Sequence, residues 1–294
     1  MIGIFDSGAG GLSVYREVRK ALPEAGIWYF GDTAHCPYGP KTKDFIVRRA
    51  ETITEMMLSG HPEEPINGTW QAGRGVDIIV VACNTATAAA IAELRAKYSD
   101  KDNPQVRKRV SDLTGGRMDH VMFIGMEPAV KPAVNATATG VIGVLATAGT
   151  LKGQKYHQMK DLYKGDAKVV EQVGEGFVEL VEKWDTDSPE AEATVAASLK
   201  PLLDEGADTI VLGCTHYPFL IDTIRKEAAL IAPDRKIQVI NPAPAVTRHL
   251  LDVMRQEGIP FKDAGAPTFI TASGDAGTIA GIAAIIGNEG LHQM

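Results

Sequence analysis

Residues 75–85 read Gly-Val-Asp-Ile-Ile-Val-Val-Ala-Cys-Asn-Thr, and residues 206–216 read Gly-Ala-Asp-Thr-Ile-Val-Leu-Gly-Cys-Thr-His. The two align without a gap, Cys83 against Cys214, each thiol following an apolar run of strand type. A second echo lies upstream of each, Ile2-Gly3-Ile4-Phe5-Asp6-Ser7 against Ile142-Gly143-Val144-Leu145-Ala146-Thr147. Self-similarity inside one chain marks a repeated structural unit. It restricts the fold to two similar halves. A unit that ends each time in cysteine predicts two thiols facing one site.

Short β-branched runs alternate with longer amphipathic stretches, the pattern of parallel sheets covered by helices. Strands are expected at 2–5, 27–30, 77–82, 121–125, 141–145, 168–171, 208–212, 237–240 and 268–271. Helices are expected at 11–22, 42–60, 86–98, 151–163, 175–184, 189–204, 218–230, 244–257 and 275–286. Pro189 suits a first helical turn, with Asp187-Ser188 before it as caps. Runs apolar throughout, such as Ile78-Ile79-Val80-Val81, fit a sheet buried on both faces. The expected fold is α/β: two similar doubly wound parallel-sheet domains related by pseudo-twofold symmetry, with the active site in the cleft between them. The first domain takes residues 1–124 and a returning segment, 241–294; the second takes 125–240. Two polar insertions, near 61–73 and 99–119, interrupt the pattern and read as solvated surface excursions.

The formal net charge of −7 argues against a nucleic-acid partner, because phosphate attraction needs basic surface. No apolar run approaches the roughly 18 residues of a membrane span. The start, Met1-Ile2-Gly3-Ile4-Phe5-Asp6, enters a strand directly and lacks the order of a signal peptide. Three cysteines are too few and too scattered for a disulfide framework, so reduced thiols in a cytoplasm are expected.

In open parallel sheets, ligands bind beyond the carboxyl ends of strands. Asp6-Ser7-Gly8, residues 32–39, Cys83-Asn84-Thr85, residues 147–150 and Cys214-Thr215-His216 all fall there. Cys83 and Cys214 each precede a helix start, where free amide N–H groups favour a thiolate. A buried cysteine is commonly just a small apolar residue. Two in equivalent positions of a repeat argue for chemistry, an acid and a base on opposite faces of one carbon. Asp6 is placed to accept a proton or orient an ammonium, or simply to cap a helix. His216 is placed to hold the proton of Cys214, or simply to pack.

The run Asp6-Ser7-Gly8-Ala9-Gly10-Gly11 follows a strand, but position 13 is Ser13, so the dinucleotide pattern with Asp32 as ribose ligand fails. The loop is expected to offer amide N–H groups to a carboxylate. No metal or cofactor is expected: His35, Cys36, Cys83, Cys214 and His216 show no metal-ligand spacing. Cys36 has no counterpart in the repeat and reads as incidental. His61, His120, His157, His249 and His292 read as structural or surface residues.

Asp6-Ser7-Gly8-x-Gly10-Gly11, Pro37-Tyr38-Gly39 after Asp32, Ala82-Cys83-Asn84-Thr85-Ala86 and Gly213-Cys214-Thr215-His216-Tyr217-Pro218 closely resemble glutamate racemase, of the cofactor-independent aspartate/glutamate racemase superfamily. Glu127-Pro128 and Ser273-Gly274-Asp275 extend the match over nearly the whole chain outside the insertions. The resemblance implies that Cys83 works on the D-enantiomer's Cα proton and Cys214 on the L-enantiomer's. It implies that Asp6 assists the first thiol and His216 the second. Ser7, Asn84, Thr85 and Thr215 align with ligands of the α-amino and α-carboxylate groups. Tyr38, Gly39, Thr147 and Thr150 align with positions near the side-chain carboxylate. It also implies a homodimer that supplies D-glutamate for peptidoglycan. Departures stand at Gly174-Glu175-Gly176, where the family often has Cys-Pro, at Asn241-Pro242 for a usual Asp-Ser, and at Gly153 for a usual serine. Glu182 falls where the family has an acidic residue near the site. The competing readings are an aspartate-type racemase, a cysteine hydrolase using Cys214 with His216, and a two-lobed solute-binding protein.

Overall fold

Strands that are apolar at every position have no face to give to water, so helices must cover both sides of the sheet. The computed structural model describes residues 1–61, 66–68, 75–126, 129–262 and 268–291. Within them the first half supplies β1 (Ile2–Asp6), β2 (Ile27–Gly31), β3 (Asn67–Gly68), β4 (Ile78–Val81) and β5 (Met122–Gly125). The second supplies β6 (Val141–Ala146), β7 (Lys168–Val173), β8 (Thr209–Gly213) and β9 (Gln238–Ile240), and β10 (Phe269–Ala272) follows. One sheet has the order β3-β10-β2-β1-β4-β5 and the other β7-β6-β8-β9. All pairings are parallel except β3 against β10.

The repeat is written in this order. In β2-β1-β4-β5 and again in β7-β6-β8-β9, the second strand lies outside the first and the third lies on its other side. Both are doubly wound sheets, and the expected fold class is the one found. The chain turns back after the second sheet to add β10 beyond β2, with residues Phe269 to Ala272 in register with Trp28 to Gly31.

Side-chain alternation sorts the cores. Ile2 and Ile4, with Ile27, Tyr29, Ile78 and Val80, pack against helices Leu12–Ala21, Ala243–Gln256 and Gly277–Leu291. Phe5, Trp28, Phe30, Ile79 and Val81 pack on the opposite face against helices Lys43–Ser59 and Asn84–Tyr98. In the second sheet Leu145, Ile210 and Leu212 face helices Phe177–Glu182, Pro189–Asp204 and Ile221–Ile231. Ile142, Val144 and Val211 face Val130–Ala136 and Gln154–Tyr163. Full burial of an Ile or Phe contributes about 1.5–3 kcal/mol. An exposed ion pair such as Lys108–Asp112 contributes about 0–1 kcal/mol, so the four apolar layers hold the fold.

The structure departs from the expected elements in five places. The stretch 99–119 is no loose excursion, because Pro104–Leu113 is a helix. Asn103 accepts from the Gln105 N–H, Pro104 sits in the first turn, and Val106 and Val110 are buried against helices Lys43–Ser59 and Asn84–Tyr98. Arg107, Lys108 and Arg109 point outward. Helix Val130–Ala136 and the short β3 were not legible. The helix expected at 151–163 is broken into Ala148–Leu151 and Gln154–Tyr163, the first capped by the Thr147 side chain. The helix expected at 218–230 starts with a 3-10 turn, Tyr217–Leu220, before Ile221–Ile231. Most of the insertion near 61–73, Glu127-Pro128 and His292 lie outside the described residues.

Candidate active site

The connections leaving β1 and β4 run to opposite sides of the first sheet, so a crevice opens at the carboxyl ends of these neighbours. The same holds for β6 and β8. Asp6-Ser7 follows from β1, Cys83-Asn84-Thr85 from β4, Thr147 from β6 and Cys214-Thr215-His216 from β8. The four ends meet in one narrow pocket. It is lined by Ser7, Pro37, Tyr38, Gly39, Cys83, Asn84, Thr85, Thr147, Val178, Cys214, Thr215 and His216. Both thiols are free and nearly fully buried.

Cys83 caps helix Asn84–Tyr98, its Sγ accepting the Ala86 N–H at 3.4 Å, and its thiol reaches Ser7 Oγ at 3.9 Å. Burial, and then the charge of Asp6, push this thiol upward. Cys214 Sγ lies 3.7 Å from His216 Nδ1, and the other imidazole nitrogen, Nε2, lies 2.7 Å from Glu182 Oε1. Burial pulls His216 down, but the Cys214 sulfur and the Glu182 carboxylate outweigh it and hold the imidazole well above its ordinary value. Burial raises Glu182, yet the bonds from His216 and the Ala9 N–H leave it below the usual carboxylate range. His216 and Glu182 therefore form an imidazolium–carboxylate pair at neutral pH.

Asp6 does not line the pocket. Its Oδ1 takes the Gly8 N–H at 2.9 Å and the Ser7 hydroxyl at 3.3 Å, and its Oδ2 takes the Thr215 hydroxyl at 2.8 Å. With both oxygens holding protein donors, it orients Ser7 and Thr215 from behind. Burial keeps its carboxyl raised despite the His216 charge.

The Thr85 hydroxyl lies 2.9 Å from Thr147 Oγ1 and 3.4 Å from Thr150 Oγ1, and Thr147 reaches Thr150 at 3.0 Å. Tyr38 donates to Asp32, a buried carboxylate gripped by Arg49 at 2.8 and 3.1 Å and by His35 at 2.9 Å. Burial raises Asp32, but the Arg49, Tyr38, Ser273 and His35 bonds bring it below its ordinary value. That anchor holds Tyr38 and Gly39 over the pocket. Asn84 is 3% exposed and neither its amide nitrogen nor its oxygen has a partner among the described residues. A buried orphan amide costs about 1–3 kcal/mol, and one lining a pocket points to a polar ligand that completes it.

The glycine-rich loop offers its amides to carboxylates, as expected, but to carboxylates of the chain itself, Gly8 to Asp6 and Ala9 to Glu182. Its glycines make room for the histidine pair. A Cβ on Gly8 would lie 2.2 Å from Glu182 Oε1, and one on Gly10 would lie 2.3 Å from His216 Nδ1. The His216 ring is buried and pinned at both nitrogens, so it has nowhere to go. Gly10→Ala is expected to lose about 1–3 kcal/mol of stability by overpacking and to lose whatever activity depends on His216 beside Cys214. Thermal unfolding and an activity assay check both.

The fold thus brings together Ser7, Tyr38, Gly39, Cys83, Asn84, Thr85, Thr147, Cys214, Thr215 and His216 as lining residues, with Asp6 and Thr150 one step behind. Pro37 and Val178 also line the pocket, and no chemical motif in the sequence marks them. Glu182 comes in through His216. Cys36, read as incidental, lies 3.8 Å from Glu182 Oε1, and burial followed by that negative charge pushes its thiol upward.

Two doubly wound units sharing a pocket with paired thiols define the class of the protein. The family described as Asp/Glu/Hydantoin racemase matches residues 116–250. A glutamate racemase of Ectopseudomonas mendocina is 39% identical over 274 residues, covering 93% of this chain and 89% of that one. A crystal structure of a glutamate racemase from Bacillus anthracis superposes with a TM-score of 0.73 at 29% identity, covering 96% of this chain and 92% of that one. A second, from Escherichia coli and in complex with L-glutamate, gives 0.67 at 29% identity, covering 86% and 82%. The chain belongs to the glutamate racemase family. Among the described residues no helix is long and apolar enough to cross a membrane.

Proposed function

We propose that this chain interconverts L- and D-glutamate with two thiols, one removing the Cα proton and the other returning a proton to the opposite face. The observation that carries the reading is a single pocket lined by two buried cysteines from equivalent strand ends of a repeat. The glutamate racemases among the relatives, and the L-glutamate held by the Escherichia coli neighbour, support the choice of substrate.

An amino-acid Cα–H is a very weak acid, so charge must be absorbed as it leaves the carbon. The Asn84 amide and the Thr85 hydroxyl are donors for the α-carboxylate, into which that charge spreads, while the Ser7 and Thr215 oxygens, whose protons go to Asp6, are acceptors for the α-ammonium. From L-glutamate, the Cys214 thiolate, standing beside the His216 imidazolium that Glu182 holds in place, takes the proton. Cys83, kept protonated by burial and by Asp6, delivers its proton from the other side. The reverse reaction exchanges the two roles. No cofactor or metal enters these steps. The side-chain carboxylate is assigned to the Thr147–Thr150 hydroxyls and the Gly39 end. A homodimer in the cytoplasm feeding D-glutamate to peptidoglycan synthesis completes the proposal, on the family resemblance.

Incubation of L-glutamate with the protein in D₂O, followed by ¹H NMR, tests it. The Cα proton signal should disappear while optical rotation falls to zero. Retention of the Cα proton, with glutamate bound, would overturn the reading in favour of a binding protein.

A further inference from the structure

Sequence spacing offers no metal motif, yet the fold assembles a ligand set. Cys36, Glu182 and His216 come from three separate segments, and one ligand atom of each lies within 4.8 Å of the other two. Glu182 Oε1 is 2.7 Å from His216 Nε2 and 3.8 Å from Cys36 Sγ. In tetrahedral zinc sites the bonds are about 2.3 Å to sulfur and 2.0–2.2 Å to nitrogen and oxygen, so donors on one ion stand roughly 3.3–3.6 Å apart. Opening the Glu182–His216 pair by roughly 0.6 Å and closing Cys36 on His216 by at most roughly 1.2 Å brings the three atoms to that geometry.

The donor types narrow the ion. Thiolate with imidazole and carboxylate selects a borderline-soft cation over magnesium or calcium. The surroundings already supply outer contacts of the kind that orient ligands: the Ala9 N–H on Glu182 Oε1 and the Cys214 sulfur beside His216 Nδ1. Cys36 and Glu182 are only partly buried, the latter side chain 22% exposed, which leaves an entry path.

We propose that Cys36 Sγ, Glu182 Oε1 and His216 Nε2 form a site for one thiophilic divalent cation of the zinc class, and that filling it stops racemisation. On binding, the Cys36 S–H and His216 Nε2–H bonds break and both protons leave to solvent. Bonds from sulfur, nitrogen and oxygen to the metal form, water takes the fourth position, and no electron changes hands. With Nε2 on the metal, the imidazolium that stands beside the Cys214 thiolate is lost, and Glu182 no longer holds it in place. Only the inhibitory half rests on the glutamate reading above; the binding half stands alone.

The test uses the full chain after treatment with a chelator. Co²⁺ should produce a thiolate-to-metal charge-transfer absorption at one ion per chain, displaced by Zn²⁺, retained in Cys83→Ser and lost in Cys36→Ser. Zinc-edge X-ray absorption of the unmodified chain should show a single sulfur ligand. Zn²⁺ should block Cα exchange reversibly. The inhibitory concentration should rise in Cys36→Ser by more than the roughly 10–100-fold typical of losing an outer-shell contact. An absent cobalt band, two sulfur ligands, or equal inhibition of Cys36→Ser would each overturn the site, the last two by putting the metal between Cys83 and Cys214. A cobalt band with no exchange of any glutamate enantiomer before metal is added would sink the glutamate reading alone.

Discussion

Cys83→Ser is expected to slow glutamate racemisation by roughly 10²–10⁴-fold, and Cys214→Ser by as much, because each removes one of two acid/base groups. Serine keeps the size of the side chain and the hydrogen bond to its neighbour, but its hydroxyl is a far poorer proton carrier than a thiol. The equilibrium constant between mirror images is unity, so kcat/KM must fall equally in both directions whichever thiol is lost. Racemisation rates alone therefore do not say which face each cysteine serves. An analogue with a leaving group on Cβ does, since elimination needs a base on one face and no acid on the other. Cys83→Ser, with Cys214 intact, should still eliminate from the L-analogue and fail with the D-analogue; Cys214→Ser should do the reverse. Paired chiral assays of the released product check this. Equal elimination of both enantiomers by either variant would remove the two-face mechanism.

The parts of this site that can be read from the chain are those that the duplication repeats. Cys83 and Cys214 betray their shared role because they end matched strands, and β-strand ends in a doubly wound sheet converge on one crevice. Ser7, Asn84, Thr85, Thr147 and Thr215 follow for the same reason. Glu182 is different. It lies on a six-residue helix whose distance from His216 depends on how that helix packs over the glycine loop, and no local spacing encodes that. Cys36 is similar: only the fold sets it against Glu182. The helix Pro104–Leu113 carried a local signal, Asn103-Pro104 with Val106 and Val110 at helical spacing, but surrounding charge at Arg107, Lys108 and Arg109 hid the narrow apolar stripe. The two-residue β3 had none, since it exists only as a partner for β10.

His216→Asn should reduce elimination from the L-analogue by about 10²-fold, a value within the range for loss of a proton-handling partner, while leaving the D-analogue much less affected. The asymmetry follows from the contacts, Nδ1 being on Cys214 and not on Cys83. Glu182→Gln removes the carboxylate that helps hold the imidazolium, so the alkaline limb of the kcat/KM profile should move to lower pH. The same pair shapes stability with pH. His216 is raised in the folded chain, so its contribution is complete below the unfolded value of about 6.5 and disappears as pH rises through the folded value. Glu182 is lowered, so its contribution is present above about 4.3 and disappears as pH falls through its folded value. Thermal unfolding midpoints measured across pH should therefore flatten on both sides in Glu182→Gln. An unchanged pH profile of activity and stability in that variant would mean that the 2.7 Å contact does not couple the two groups.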